Sequence, residues 1–328
     1  MNEKQINWGI IGCGDVAEVK SGPAFQEVSN SNLVAVMRRN ASKAKDFAKR
    51  HHVPQWYSDA DELLKNKNIN AVYIATPPSS HLQIALKAME SGKDIYIEKP
   101  MVLNQKEAQI LIQASKNSNC KITVAHYRRA LPAFIKVQEL LGTGAIGEVR
   151  LAEIRILQPL KSDIIADTED NWRIVPSESG GGYFFDLAPH QIDLMLKYFG
   201  EVKSTGGFGS NLSQTYEAND IVTGILKFES GVHFSGTWAF NINEAQKEDT
   251  CKIYGSDGYI EFSFYGEEVK LVSPHSETFK FSNPKNIQLP MIERTVNYFL
   301  GKNSLNPCSI FEAAKVIQIM NDFSSQSI

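Results

Sequence analysis

The chain has 328 residues, room for about two domains at ~150 residues each with a core apiece, which excludes a disordered segment or a peptide-sized scaffold. Hydrophobic residues make up 42% and charged residues 22%, and no apolar run approaches the ~20 residues that cross a bilayer. With 34 Lys plus Arg against 37 Asp plus Glu, the net charge of -3 offers no whole-chain attraction to nucleic-acid phosphate or anionic lipid, so neither is an expected partner and any anion site is local.

The opening MNEKQINWGIIG lacks the basic flank, apolar h-region and cleavage site of a secretory signal. Cys13, Cys120, Cys251 and Cys308 lie far apart, with neither C-x-x-C nor zinc-ligand spacing. Reduced thiols and a cytoplasmic location are expected, and Asn211-Leu212-Ser213 is then a chance sequon.

From Ile6 to about Ala125, short β-branched runs alternate with helical stretches, the rhythm of parallel strands joined by crossover helices. Strands are predicted at Ile6 to Gly12, Leu33 to Met37, Ala71 to Ala75, Asp94 to Ile97 and Lys121 to Ala125, each apolar enough for cover on both faces. Residues 1–125 therefore read as a doubly wound α/β domain.

Between the first strand and the helix predicted after it stands Gly12-Cys13-Gly14-Asp15-Val16-Ala17, the dinucleotide fingerprint G-x-G-x-x-A. Gly12 permits the tight turn, Gly14 lets backbone approach a pyrophosphate, and Ala17 allows close helix–strand packing, with Asp15 and Val16 offering amides to the anion. An acid about 20 residues further on would bind the ribose 2′-hydroxyl of NAD. Here that place holds Arg38, with Arg39 and Ser42 beside it, groups that suit a 2′-phosphate; NADP is favoured over NAD, the alternative being two solvated loop arginines.

Ala75-Thr76-Pro77-Pro78-Ser79-Ser80-His81 follows the third strand and Glu98-Lys99-Pro100 the fourth, both at carboxyl ends where α/β sheets bind ligands. Thr76, Pro77, His81, Glu98 and Lys99 thus join the candidate cofactor contacts, with His81 equally readable as a helix cap. Asn104 and Glu107 stand in capping spacing before Ala108, Leu111 and Ile112, and Asn117-Ser118-Asn119 ends that helix.

Residues 126–328 read as a second, α+β domain. A helix is expected over Leu131 to Leu141, a strand over Glu148 to Gln158, and a helix over Asp186 to Phe199. Hairpins follow at Glu229-Ser230-Gly231 and Gly255-Ser256-Asp257-Gly258, predicting a mainly antiparallel sheet. The last helix, Ser309 to Ser324, opens with Ser309 and Glu312 in capping-box spacing and could pack on either domain. Asp186 and His190 are four apart, so one helical face presents both, and Asp186 could merely cap the helix with His190 bonded to it. With no third ligand and no H-E-x-x-H spacing, metal is discarded.

GxGxxA, ATPPSSH, EKP, AHYRR and DLAPH occur in this order, and together they resemble the Gfo/Idh/MocA oxidoreductases, nicotinamide-dependent dehydrogenases of sugars, polyols and related alcohols. The resemblance implies a Rossmann domain followed by an α+β domain whose open sheet supports a homodimer or homotetramer. It implies catalytic roles for Lys99, Asp186 and His190, the lysine polarising the substrate oxygen from one lobe and the imidazole acting from the other. It places substrate contacts at Tyr127 and Arg128, and a cofactor or substrate contact at Arg173 of Trp172-Arg173, which otherwise reads as a structural arginine. Tyr183 stands where relatives carry a small residue, which narrows the pocket. The function expected is NADP-dependent hydride transfer to or from a sugar or polyol. The rivals are an NAD-dependent glycoside hydrolase of the same fold and a non-catalytic dinucleotide-binding regulator. Specificity is expected in the loops Gln158 to Ser179 and Asn241 to Asp249.

Overall fold

The computed structural model describes residues 4–165 and 171–325, so the loop from Gln158 to Ser179 is seen only in part, and the extreme N-terminal residues lie outside the described set. The chain divides into two compact units, Met1–Tyr127 with Pro284–Ile317, and Arg128–Asn283 with Gln318–Ile328. Among the described residues no helix is long and apolar enough to cross a membrane.

The first unit contains β1 (Ile6–Ile11), β2 (Ser31–Met37), β3 (Gln55–Tyr57), β4 (Ala71–Ile74), β5 (Asp94–Ile97) and β6 (Ile122–Val124), in the order β3-β2-β1-β4-β5-β6. All pairs are parallel, and this is the order of doubly wound dinucleotide-binding sheets, which reverses direction between β1 and β4. Strand β3 escaped the sequence reading because Gln55-Trp56-Tyr57 is short, exposed and without apolar alternation.

The helix expected after the glycine motif is broken. A π-helical turn over Ala17–Ser21 is followed by α1, only Ala24–Glu27, because Pro23 has no N–H to continue the ladder. The crossovers continue with α2 (Ala41–Arg50), α3 (Ala60–Leu64), α4 (His81–Glu90) and α5 (Gln105–Lys116). Helix α5 starts as its caps dictate: Asn104 Oδ1 accepts from the Glu107 N–H at 3.0 Å, Glu107 Oε2 accepts from the Leu103 N–H at 3.1 Å, and Ala108, Leu111 and Ile112 are buried.

The second unit carries α6 (Pro132–Gly142), β7 (Val149–Leu157), α7 (Pro176–Ser179), α8 (Gly182–Phe199) and seven further strands: β8 (Val202–Ser210), β9 (Ile221–Phe228), β10 (His233–Ala239), β11 (Glu248–Gly255), β12 (Tyr259–Phe262), β13 (Glu268–Ser273) and β14 (His275–Lys280). Their order is β14-β13-β12-β11-β7-β10-β9-β8. Both expected hairpins form, β9 with β10 and β11 with β12, and the sheet is mainly antiparallel as expected, with β7 and β10 pairing parallel within it. Helix α8 is buried along most of its length and packs on one face of the sheet, Phe184 meeting Trp238 edge-on at 5.1 Å and Phe199 meeting Phe228 at 5.3 Å. Each such ring contributes about 1.5–3 kcal/mol by burial.

The remaining helices are α9 (Leu289–Phe299) and α10 (Ile310–Ser324). Where the sequence reading puts 126–328 in one domain, Pro284–Ile317 returns to the first unit. The reason is aromatic: Phe299 of α9 packs 5.7 Å from Trp8 of β1, in a cluster with Phe25, Tyr73 and Tyr96. Helix α10 is opened by the expected box, with Ser309 Oγ accepting from the Glu312 N–H and Glu312 Oε2 accepting from the Ser309 N–H at 2.8 Å; its residues divide between the units after Ile317.

Candidate functional site

The register of the parallel sheet sets the first half of the site. Met37, Ile11, Ile74, Ile97 and Val124 lie in one row across β2, β1, β4, β5 and β6. Hydrogen bonds carry the ladder one rung past that row: Gly12 N–H to Met37 O (2.9 Å), Ala75 N–H to Ile11 O (2.9 Å), Glu98 N–H to Ile74 O (2.9 Å) and Ala125 N–H to Ile97 O (2.8 Å). Gly12, Arg38, Ala75 and Glu98 therefore begin neighbouring loops on one carboxyl edge, at the switch point where ligands bind to such sheets.

The glycines fit a dinucleotide. Gly12 has φ +99°, and a Cβ there would fall 2.8 Å from the Ala75 carbonyl carbon, so no other residue is accommodated without strain. At Gly14 the Cβ position faces open space, which a pyrophosphate can enter. Asp15 is exposed, Val16 half-buried and Ala17 fully buried. Arg38 follows directly on β2 and is half-buried, Arg39 and Ser42 are exposed, and the Ser42 hydroxyl donates to Asn40 Oδ1 at 2.7 Å. Burial pushes the Cys13 thiol up to about 11, so it stays protonated at neutral pH.

Thr76 and Pro77 are half-buried in the loop after β4. His81, at the start of α4, is fully buried, with Nε2 2.8 Å from Thr76 O and Nδ1 3.1 Å from Pro100 O, so it ties this loop to the next one. Burial holds its pKa below the usual value, against the opposing pull of those carbonyls. Lys99 is half-buried and joined to Pro100 by a cis peptide bond.

Glu98 is the hub of a buried network that sequence reasoning missed. Its Oε1 accepts from the Tyr73 hydroxyl (2.5 Å) and from Gln288 Nε2 (2.6 Å), while Oε2 accepts from the Lys99 N–H (3.2 Å). Gln288 Oε1 in turn accepts from the Tyr96 hydroxyl at 3.0 Å. Burial, with the Glu98 charge adding to it, holds both tyrosines well above the usual phenol range, so they remain donors. A signal existed for half of this: Tyr73 and Tyr96 stand at paired positions in two mostly buried strands, and a buried hydroxyl requires a partner.

In the second unit, α8 begins at Gly182, one turn before the expected start, so Asp186 is an interior residue and not the cap. Asp186, His190 and Asp193 follow one face at i, i+4 and i+7. Arg173, 4% exposed in the turn Trp172–Ile174, donates from Nε to Asp186 Oδ2 at 3.0 Å. Arg129 grips Asp193 with two bonds of 2.7 Å, both side chains buried. The pair Arg129–Asp193 was not anticipated, because only folding brings residues 64 apart into contact. The Tyr183 hydroxyl accepts from Asn171 Nδ2 at 2.8 Å. Arg128 is buried over Tyr265, 4.4 Å from the ring centre, and donates to Phe264 O; Tyr127, also buried, closes the first unit's opening segment. Lys99 thus stands in the first unit, and Asp186 and His190 in the second.

Comparison with known proteins agrees with this geometry. Residues 6–126 match the model of an oxidoreductase family with an NAD-binding Rossmann fold, and residues 134–261 match the GFO/IDH/MocA C-terminal domain. The chain is 55% identical to Oxidoreductase P35 of Formosa agariphila, over 98% of this chain and 99% of that one. It is 25% identical to trans-1,2-dihydrobenzene-1,2-diol dehydrogenase of Mus musculus, over 95% and 87%. Among solved structures, levoglucosan dehydrogenase in complex with NADH and levoglucosan shares the fold with a TM-score of 0.87 at 21% identity, over 97% and 96% of the two chains. An oxidoreductase of Thermotoga maritima does so at 0.85 and 24%, over 98% and 97%.

Proposed function

The chain belongs to the Gfo/Idh/MocA oxidoreductases, and from that premise we propose that it is an NADP-dependent enzyme interconverting an alcohol and a carbonyl on a sugar or polyol. The observation that carries the reading is the single rung that sets the Gly12, Arg38, Thr76 and Glu98-Lys99 loops side by side on one sheet edge. Bound along that edge, a nicotinamide dinucleotide supplies or accepts the hydride.

The residues do the rest. The Lys99 ammonium hydrogen-bonds the substrate oxygen and stabilises the charge that develops there as the carbon changes oxidation state. In oxidation an imidazole nitrogen of His190 takes the hydroxyl proton, and in reduction it returns it. Asp186 orients the imidazole, and Arg173 keeps Asp186 in place through its 3.0 Å bond. Thr76 and Pro77 line the floor beneath the dinucleotide, while His81 and Glu98 hold the two loops that contact it. Tyr127, Arg128 and Tyr183 complete the substrate surroundings.

Arg38 supports NADP: it takes the place of the acid that would bind a 2′-hydroxyl, and its guanidinium matches a phosphate. The relatives support a cyclic hydroxylated substrate, since one is named for a dihydrodiol and a structural neighbour holds levoglucosan. On the face of the eight-stranded sheet opposite α8, Ile225 is 59% and Phe208 60% exposed, and we assign this face to a homodimer or homotetramer contact, for light scattering to check. No disulfide joins the four cysteines among the described residues, which supports a cytoplasmic location.

The test is a panel of sugars, polyols and keto-sugars followed by the absorbance of reduced nicotinamide, run with both cofactors. Turnover of at least one member, faster with NADP, is expected. No turnover with either cofactor, or cofactor that stays bound without stoichiometric consumption while a glycoside is cleaved, overturns the reading.

A further inference from the structure

The first turn of α8 is bordered by the turn Trp172–Ile174 and by the segment around Tyr216. Tyr183 sits at the middle: its hydroxyl accepts from Asn171 Nδ2 at 2.8 Å, and its ring meets Tyr216 edge-on at 5.4 Å. One turn along, Arg173 donates to Asp186 and lies 4.5 Å over the Trp172 ring. Three polar atoms in this neighbourhood are buried and have no hydrogen-bond partner among the described residues: Asn171 Oδ1, Arg173 Nη1 and the Tyr216 hydroxyl. The Arg173 side chain is only 5% exposed. Buried polar groups are nearly always satisfied, so three orphans around one helix turn call for a partner that arrives from solution.

The donor set defines that partner. Asn171 Oδ1 only accepts, Arg173 Nη1 only donates, and the Tyr216 hydroxyl does either. A hydroxyl group both gives and takes a hydrogen bond and so serves all three. A carboxylate or phosphate has no hydrogen for Asn171 Oδ1 and would meet the Asp186 carboxylate. An ammonium would meet the Arg173 guanidinium. We propose that Asn171, Arg173 and Tyr216, arranged around Tyr183, form a subsite that reads a hydroxyl of a neutral, polyhydroxylated ligand, away from the carbon that reacts. This rests on the reading of Asp186 and His190 as substrate-facing groups, and it makes Asn171 and Tyr216 specificity-determining residues.

Calorimetric titration of the full chain, saturated with NADPH and separately with NADH, tests it without requiring turnover. The probes are D-glucose, D-xylose and myo-inositol, followed by the monodeoxy analogues of whichever binds. Tyr216→Phe removes one oxygen that no described residue engages, so the melting temperature holds or rises, while affinity for the parent ligand falls ~3–10-fold and affinity for the analogue lacking the recognised hydroxyl is unchanged. Asn171→Leu gives the same selective loss. The proposal is overturned if none of the probes binds the wild type, if both variants bind as the wild type does, or if parent and analogues weaken together. Selective loss in a protein that never oxidises or reduces the bound ligand overturns the hydride-transfer reading instead and leaves the subsite standing.

Discussion

Gln288→Leu probes the network that joins the returning C-terminal segment to the loop bearing Lys99. The change keeps approximate volume but removes the 2.6 Å bond to Glu98 Oε1 and the acceptor of the Tyr96 hydroxyl at 3.0 Å. A hydrogen bond to a charged group is worth about 1.5–3 kcal/mol, and a buried hydroxyl left without a partner costs about 1–3 kcal/mol. Leucine returns about 1 kcal/mol through apolar burial, so the net loss is about 3 kcal/mol, or about 6–12 °C in melting temperature for a unit of this size. Urea titrations followed by intrinsic fluorescence, to which Trp8 contributes with its ring 6.5 Å from Tyr96, measure the loss. Adding Tyr96→Phe to the variant deletes the orphaned hydroxyl and restores about 1–2 kcal/mol, whereas the same change in the wild type destabilises. Because Glu98 also accepts from the Lys99 N–H, turnover falls along with stability. A loss below about 1 kcal/mol, or additive effects of the two substitutions, refutes the reasoning.

Lys99→Ala lowers turnover by about 10²–10³-fold while dinucleotide binding, followed by fluorescence, survives; unchanged turnover removes the lysine from the chemistry. Arg38→Asp weakens NADP relative to NAD by about tenfold or more, and an unaltered ratio of dissociation constants shows that the guanidinium does not meet the 2′-phosphate. His81 gives a pH signature. Burial lowers its folded pKa below 6.5, so between the two values the unfolded chain binds more protons and stability is lost as pH falls. The wild type therefore weakens below about pH 6.5 by more than His81→Gln does, measured by denaturation at a series of pH values, and parallel profiles contradict this.

Much of this protein is legible residue by residue. β1, β2, β4, β5 and β6 are short, mostly apolar runs, the glycine motif requires a positive φ at Gly12, and Asn104 with Glu107 and Ser309 with Glu312 start their helices through atoms three residues apart. Both hairpins announce themselves in their turns. These features depend on interactions within a few residues of chain, and such interactions survive translation into pattern. The interruption at Pro23, the strand β3 and the parallel pairing of β7 with β10 left weaker marks. The bonds between Gln288 and Glu98, between Arg129 and Asp193, and between Arg173 and Asp186 left none that spacing could reveal. The family resemblance of their motifs nominated Lys99, Asp186 and His190, but which buried carboxyl group receives which donor was decided by packing. A polar side chain in a core must take whatever partner the surrounding helices and strands bring within about 3 Å, and that choice belongs to the folded whole.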